Sequence, residues 1–300
     1  MIKEIKKIEN KLEKLQNKKN EIQILEKMFG DIGEQNIKYK ISKHIIDKLT
    51  KLINELNKNP NDLHKQVSIS RYVLETLIIT QLLIKEKDYF LKLYFSIYIH
   101  QENKIKNMKE RLKREIEVLE ENQINYELEI KDKTSDEEEE IFQKYKNKIN
   151  KDIQIFTLKI EEFGFGGLIH ILKNEHLVQY QTKLKEIQNK KIAKAKELVK
   201  EEWFKEYFDA KRQHSKVFTF FKDRRSWKQK AEDSDLKNEY ELNYKITSDL
   251  MHFCSYSLFT LKDIKDEEIK YYYLLLNQYL ERIINNLNLF SKTIKIISMN

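Results

Sequence analysis

Three hundred residues with 40% hydrophobic side chains are enough to bury a core, which excludes a chain disordered throughout. Five glycines and one proline are too few for the turns of a sheet protein of this length, so the fold class expected is all-α, a multi-helix bundle. The single cysteine, Cys254, excludes an internal disulfide, no CxxC or HExxH spacing offers a zinc site, and the net charge of +8 keeps nucleic acid among the candidate partners.

The first predicted helix carries Ile2, Ile5, Ile8, Leu12, Leu15, Ile22 and Leu25 in one narrow stripe and ends near Gly30 and Gly33. A second follows, with Ile37, Ile41, Ile45, Leu49, Leu52, Ile53 and Leu56 in step, closed by the proline turn at residues 59–62. The third, over Leu63 to Lys85, is apolar around nearly its whole circumference, which marks a central helix. Two charges interrupt it, Arg71 and Glu75, four residues apart, and burial obliges both to find partners. A fourth helix starts near Asp88 with Tyr89, Phe90, Leu93 and Tyr94, then thins to a stripe among charges through Glu129.

The acidic run Asp136 to Glu140 reads as a solvated loop or helix start, and the stripe resumes from Ile141 to Ile160. Two thin-striped helices around an acidic bend predict a long charged antiparallel hairpin of coiled-coil type. Gly164, Gly166 and Gly167 lack the Lys and Ser/Thr of a phosphate loop and read as a hinge between helices. A further charged helix over Leu168 to Tyr207 leads to the C-terminal helices. The division expected is 1–102 for N-terminal core helices, 103–200 for the hairpin inserted between core helices, and 201–300 for the helices completing the bundle.

From Lys205 to Lys230 nine basic residues stand against three acidic ones, a local +6. Lys211, Arg212, Lys222, Arg224, Arg225 and Lys228, with Phe218, Phe220, Phe221 and Trp227 between them, combine phosphate contact with base stacking. The competing reading makes these aromatics core. No run of about 18 apolar residues and no apolar leader core occurs, so neither a membrane nor a secretory signal is expected, and the absence of disulfide spacing fits the cytoplasm.

Tyr240, Tyr244, Ser248 and His252 recur every four residues and define one slowly drifting helix face. Histidine titrates near neutrality, and of the seven His252 is singled out by Ser248 one turn before it together with Asp249 close by. A metal-free ribonuclease needs a histidine for proton transfer, an arginine for the phosphate and polar neighbours to orient them. Arg71, Glu75, Ser248 and His252 are those types, although an arginine followed four to six residues later by histidine, common in helical ribonucleases, is absent. No cofactor motif is present.

Two segments, RYVLETLIITQLLI from Arg71 and SWKQKAEDSDLKNEYELNYKITSDLMHFCSYSLF from Ser226, resemble the uncharacterised bacterial helical family called domain of unknown function 5677. The shared pattern pairs an Arg and a Glu in an apolar helix with a later Trp, Ala-Glu, paired tyrosines and a serine ahead of a histidine. Here those fall on Arg71, Glu75, Trp227, Ala231, Glu232, Tyr240, Tyr244, Ser248 and His252. The resemblance says nothing of residues 103–200, whose length sets this chain apart and fits a partner protein or a second copy. It implies a likeness to antiviral defence and toxin ribonucleases.

The leading expectation is therefore a bacterial defence or stress effector acting on RNA or binding a phosphate-containing ligand. The rivals are a non-enzymatic scaffold in which the same residues form a structural network, and passive nucleic-acid binding through residues 205–230.

Overall fold

The computed structural model describes residues 2–26, 33–152, 160–209, 214–251 and 266–292. Among them helices dominate and no strand occurs. The helices are α1 (Ile2–Glu26), α2 (Glu34–Lys58), α3 (Leu63–Lys85), α4 (Tyr89–Glu129), α5 (Ser135–Asp152) and α6 (Ile160–Ile171). A π-helical turn, Leu172–Leu177, then leads into α7 (Val178–Leu198), followed by α8 (Glu202–Lys205), α9 (Val217–Phe220), α10 (Trp227–Asp233), α11 (Lys237–Met251) and α12 (Asp266–Lys292). The chain forms two compact units, Met1–Ser96 with Glu197–Asn300, and Ile97–Lys196.

In the first unit α3 is the hub, packed on α2, α10, α11 and α12. Its sequence explains this position. Asp62 caps the first turn by accepting from the Lys65 amide at 3.0 Å. Val67, Val73, Leu74, Leu77, Ile78 and Leu82 are then buried on several faces rather than along one stripe. By length and composition α3 would suffice to cross a membrane, yet 61% of its most apolar stretch is buried within the fold, as in a core helix. Seams between α3, α11 and α12 are pinned by amides: Asn286 donates to Thr80 Oγ1 at 3.2 Å and Gln81 Oε1 at 3.0 Å, and Asn243 donates to the Tyr279 hydroxyl at 3.0 Å.

A second apolar centre in this unit is aromatic. Phe95 stacks on Phe221 at 5.3 Å between ring centroids and meets Phe218 edge-on at 4.9 Å, while Phe204 and Phe208 complete the group. Each such pair adds about 0.5–1.5 kcal/mol beyond simple burial. Phe218 and Phe221 thus belong to the core, and Phe220, 44% exposed, lies against Phe208 and Phe221.

The second unit is held by Leu112, Ile116 and Leu119 of α4, Tyr145 and Ile149 of α5, and Phe165, Leu168, Ile169 and Leu172 of the segment after them. Tyr126 stacks on Phe165 and meets Phe142 and Tyr145 edge-on. Glu102 pairs with Lys191 and Glu120 with Lys173, so α4 and the segment running into α7 are antiparallel. Burial opposes the charge on Glu102, but hydrogen bonds from Lys106 and Lys191 win and hold its carboxyl down at about 2.

Of loop and helix start, the acidic run takes the second: the chain turns at Ile130–Thr134, with Asp132 at φ 64°, and Asp136, Glu137 and Glu138 form the first turn of α5. Negative charge is favourable at a helix N-terminus, and Glu137 accepts from both the amide and the hydroxyl of Thr134 at 3.0 and 2.9 Å. The helix expected over Leu168 to Tyr207 is broken by the π-helical turn and stops at Leu198. Gly164, at φ 62°, kinks α6 where the glycine cluster implied a hinge.

Candidate functional site

Arg71 and Glu75 lie one turn apart on α3, and Tyr240 and Tyr244 one turn apart on α11, which packs against it. Arg71 Nε donates to Glu75 Oε1 at 3.1 Å, and its guanidinium carbon stands 5.0 Å from the centre of the Tyr244 ring. Tyr244 in turn stacks on Tyr240, centroids 5.4 Å apart and planes inclined by 28°. The two charges and the two tyrosines therefore meet, joining α3 to α11.

They do so at the edge of the core. The Arg71 and Glu75 side chains keep 33% and 20% of their exposure, whereas Tyr240 is buried at 7%. Burial pushes the Tyr240 hydroxyl pKa up, with Tyr244 and Glu75 reinforcing the shift and Arg71 opposing it. The remaining donors of Arg71, on Nη1 and Nη2, make no hydrogen bond among the described residues. Ser248 follows Tyr244 by one turn on α11. Its side chain and all of His252 lie outside the described residues.

The basic segment has a different character. Lys211 and Arg212 lie outside the described residues. Arg225 is saturated: Nε and Nη2 donate to Asp223 at 3.0 and 3.2 Å, Nη1 to Glu86 at 2.5 Å and Asp233 at 2.8 Å, and Nη2 also to Glu86 at 3.2 Å. The guanidinium also stands 5.4 Å from the Tyr89 ring centre. Lys230 joins through Asp223 at 3.2 Å, and Lys92 through Glu86 at 2.9 Å.

Burial opposes ionisation of Glu86 and Asp223, but their hydrogen bonds from Arg225 outweigh it and hold both carboxyls below their usual range. Burial, then the charge of Asp223, pushes the Tyr89 hydroxyl pKa up. Lys228 pairs with Glu241 at 3.2 Å, and Trp227 opens α10 with the Lys230 ammonium 5.1 Å over its ring. Lys222 and Arg224 are exposed and make no ion pair among the described residues.

Sequence reasoning missed the Arg225 network because its acidic partner Glu86 is 139 residues distant. One signal was present. Glu86 follows directly on the last turn of α3, a position where an unpaired acid opposes the helix dipole and calls for a cationic partner. Among the described residues no group of three His, Cys, Asp or Glu side chains is placed to hold a metal.

Comparison of the chain with protein-family models, curated proteins and solved structures finds no match in any of the three. The likeness to the domain of unknown function 5677 rests on the quoted residues alone.

Proposed function

We propose that the protein is a helical effector of bacterial defence or stress whose Arg71 site contacts a phosphate-containing ligand, RNA foremost. The observation that carries this reading is the state of the Arg71 guanidinium. Glu75 fixes one edge and Tyr244 supports one face, which leaves the Nη1 and Nη2 fork free of the described residues and partly exposed. A guanidinium whose terminal nitrogens are unspent among the described residues can grip a phosphate through two parallel hydrogen bonds, which lysine cannot reproduce.

In this reading Arg71 contacts the phosphate and Glu75 and Tyr244 orient it, with Tyr240 supporting Tyr244. Ser248 lies one turn beyond Tyr244 along α11, and His252 would supply proton transfer if the ligand is cleaved. The test is to express the wild type, Arg71→Ala and His252→Ala, and to score growth arrest and cleavage of total RNA. Arrest and cleavage by wild type, lost in both variants, are expected. A harmless wild type that leaves RNA intact removes the enzymatic part.

The burial of Tyr240 favours a second reading, a structural tie between α3 and α11. In that case Arg71→Ala lowers stability and changes nothing else.

A further inference from the structure

Away from Arg71, the first unit contains a cleft of about 570 Å³ between the start of α2, the end of α3 and the turn after α8. Leu83, Ile84 and Phe290 give it apolar surface, and its volume suits a ligand of nucleotide size. Lys38, Lys85, Lys87 and Lys292 line it against Glu34 and Glu206, and since Lys85 is paired with Asp235 at 2.5 Å the balance left is +1.

The two acids are not equal obstacles to an anion. Glu34 is neutralised from within the protein: Lys38 Nζ lies 2.7 Å away and the Tyr207 hydroxyl donates to it at 2.9 Å. Burial, then Glu34 itself, pushes the Tyr207 pKa up, so the phenol stays protonated and remains a donor. Glu206 meets Lys87 at 3.2 Å with side chains 62% and 72% exposed, a solvated pair that an incoming phosphate can displace. Lys292, on the last turn of α12, makes no ion pair among the described residues.

A further polar group selects the kind of anion. Oε1 of Gln35, a residue lining the cleft, accepts no hydrogen bond among the described residues and has almost no surface open to solvent, so a ligand meets it only once this side chain turns into the cleft. Buried acceptors in folded proteins are nearly always satisfied, so this one suits an N–H or O–H donor on a ligand. Inorganic phosphate offers only its acidic O–H groups at neutral pH, whereas a nucleoside carries neutral donors on both base and ribose.

We propose that this cleft binds a nucleoside phosphate, with the phosphates on Lys87 and Lys292 and a base or ribose donor on Gln35. Isothermal titration of the full chain with each of the four ribonucleoside triphosphates tests it, with inorganic tripolyphosphate as the probe without a nucleoside. At least one nucleotide is expected to bind, more weakly as salt rises. The double variant Lys87→Ala/Lys292→Ala should weaken it by about tenfold or more, and Gln35→Leu by about tenfold, with thermal melts showing both variants folded.

No binding of any nucleotide at concentrations on the order of 1 mM overturns the proposal. So does unchanged affinity in the double variant. Tripolyphosphate binding equal to the nucleotides, with Gln35→Leu indifferent, makes the ligand a bare polyanion and removes the nucleoside. Binding lost in Arg71→Ala but kept in the double variant places the phosphate at the α3–α11 seam instead.

Discussion

Arg225 and Arg71 are alike in surroundings and opposite in state. Each stands over a tyrosine ring, Tyr89 for one and Tyr244 for the other, and each keeps a fraction of its exposure, 22% and 33%. Arg225 spends its side-chain donors on three carboxylates contributed by the α3–α4 turn and by both sides of α10. Among the described residues Arg71 spends one donor on one carboxylate a single turn away. A saturated guanidinium fixes loops in place and has little left for a ligand, whereas a half-used one is positioned and still able to bind.

Stability should separate the two arginines most sharply. Arg225→Ala leaves Glu86, Asp223 and Asp233 without their shared partner and should cost about 3 kcal/mol in urea unfolding. A loss below about 0.5 kcal/mol would mean that water replaces the network without penalty.

The same network predicts an acid signature. Glu86 and Asp223 have folded pKa values below their ordinary 4.5 and 3.8, so the stability they add is complete above that range. It is lost as pH falls through the folded values, and wild type should therefore lose stability below about pH 4.5 more steeply than Arg225→Ala. Parallel curves would deny the network its role.

Arg71→Ala should be milder, under about 1 kcal/mol, because an ion pair within one helix at this exposure contributes little. A larger loss moves Arg71 into the class of Arg225 and favours the structural tie. Smallest of all is the effect expected from Lys222→Ala with Arg224→Ala. If the segment is a passive RNA-binding surface, removing two phosphate contacts should cut the salt slope of RNA binding by about 2. The inward packing of Phe218 and Phe221 and the commitment of Arg225 predict a change below about 0.5 instead.

The readable parts of this molecule were those decided by local spacing. The all-round apolarity of residues 63–85 marked α3 as a central helix, and intervals of four placed Arg71 over Glu75 and Tyr240 over Tyr244. The sequence required polar company for a charge pair in the most apolar helix without saying which residues would supply it, and the structure sets Arg71 and Glu75 at the edge of the core beside Tyr244. Distant contacts were hidden. The run around Arg225 reads as excess positive charge until folding brings Glu86 to it, and only the packing of α9 tells buried Phe221 from exposed Phe220. The end of α7 also escaped, because Val199, Lys200 and Glu201 carry no glycine or proline signal.

The claim that Arg71 is held for a ligand rather than for the fold is tested most directly by one paired measurement on Arg71→Ala: affinity for a short single-stranded RNA, and the urea midpoint of the same sample. RNA affinity at least about tenfold weaker is expected, with a midpoint close to that of wild type. Unchanged RNA affinity with a midpoint lowered as far as in Arg225→Ala would contradict it and make Arg71 a structural tie between α3 and α11.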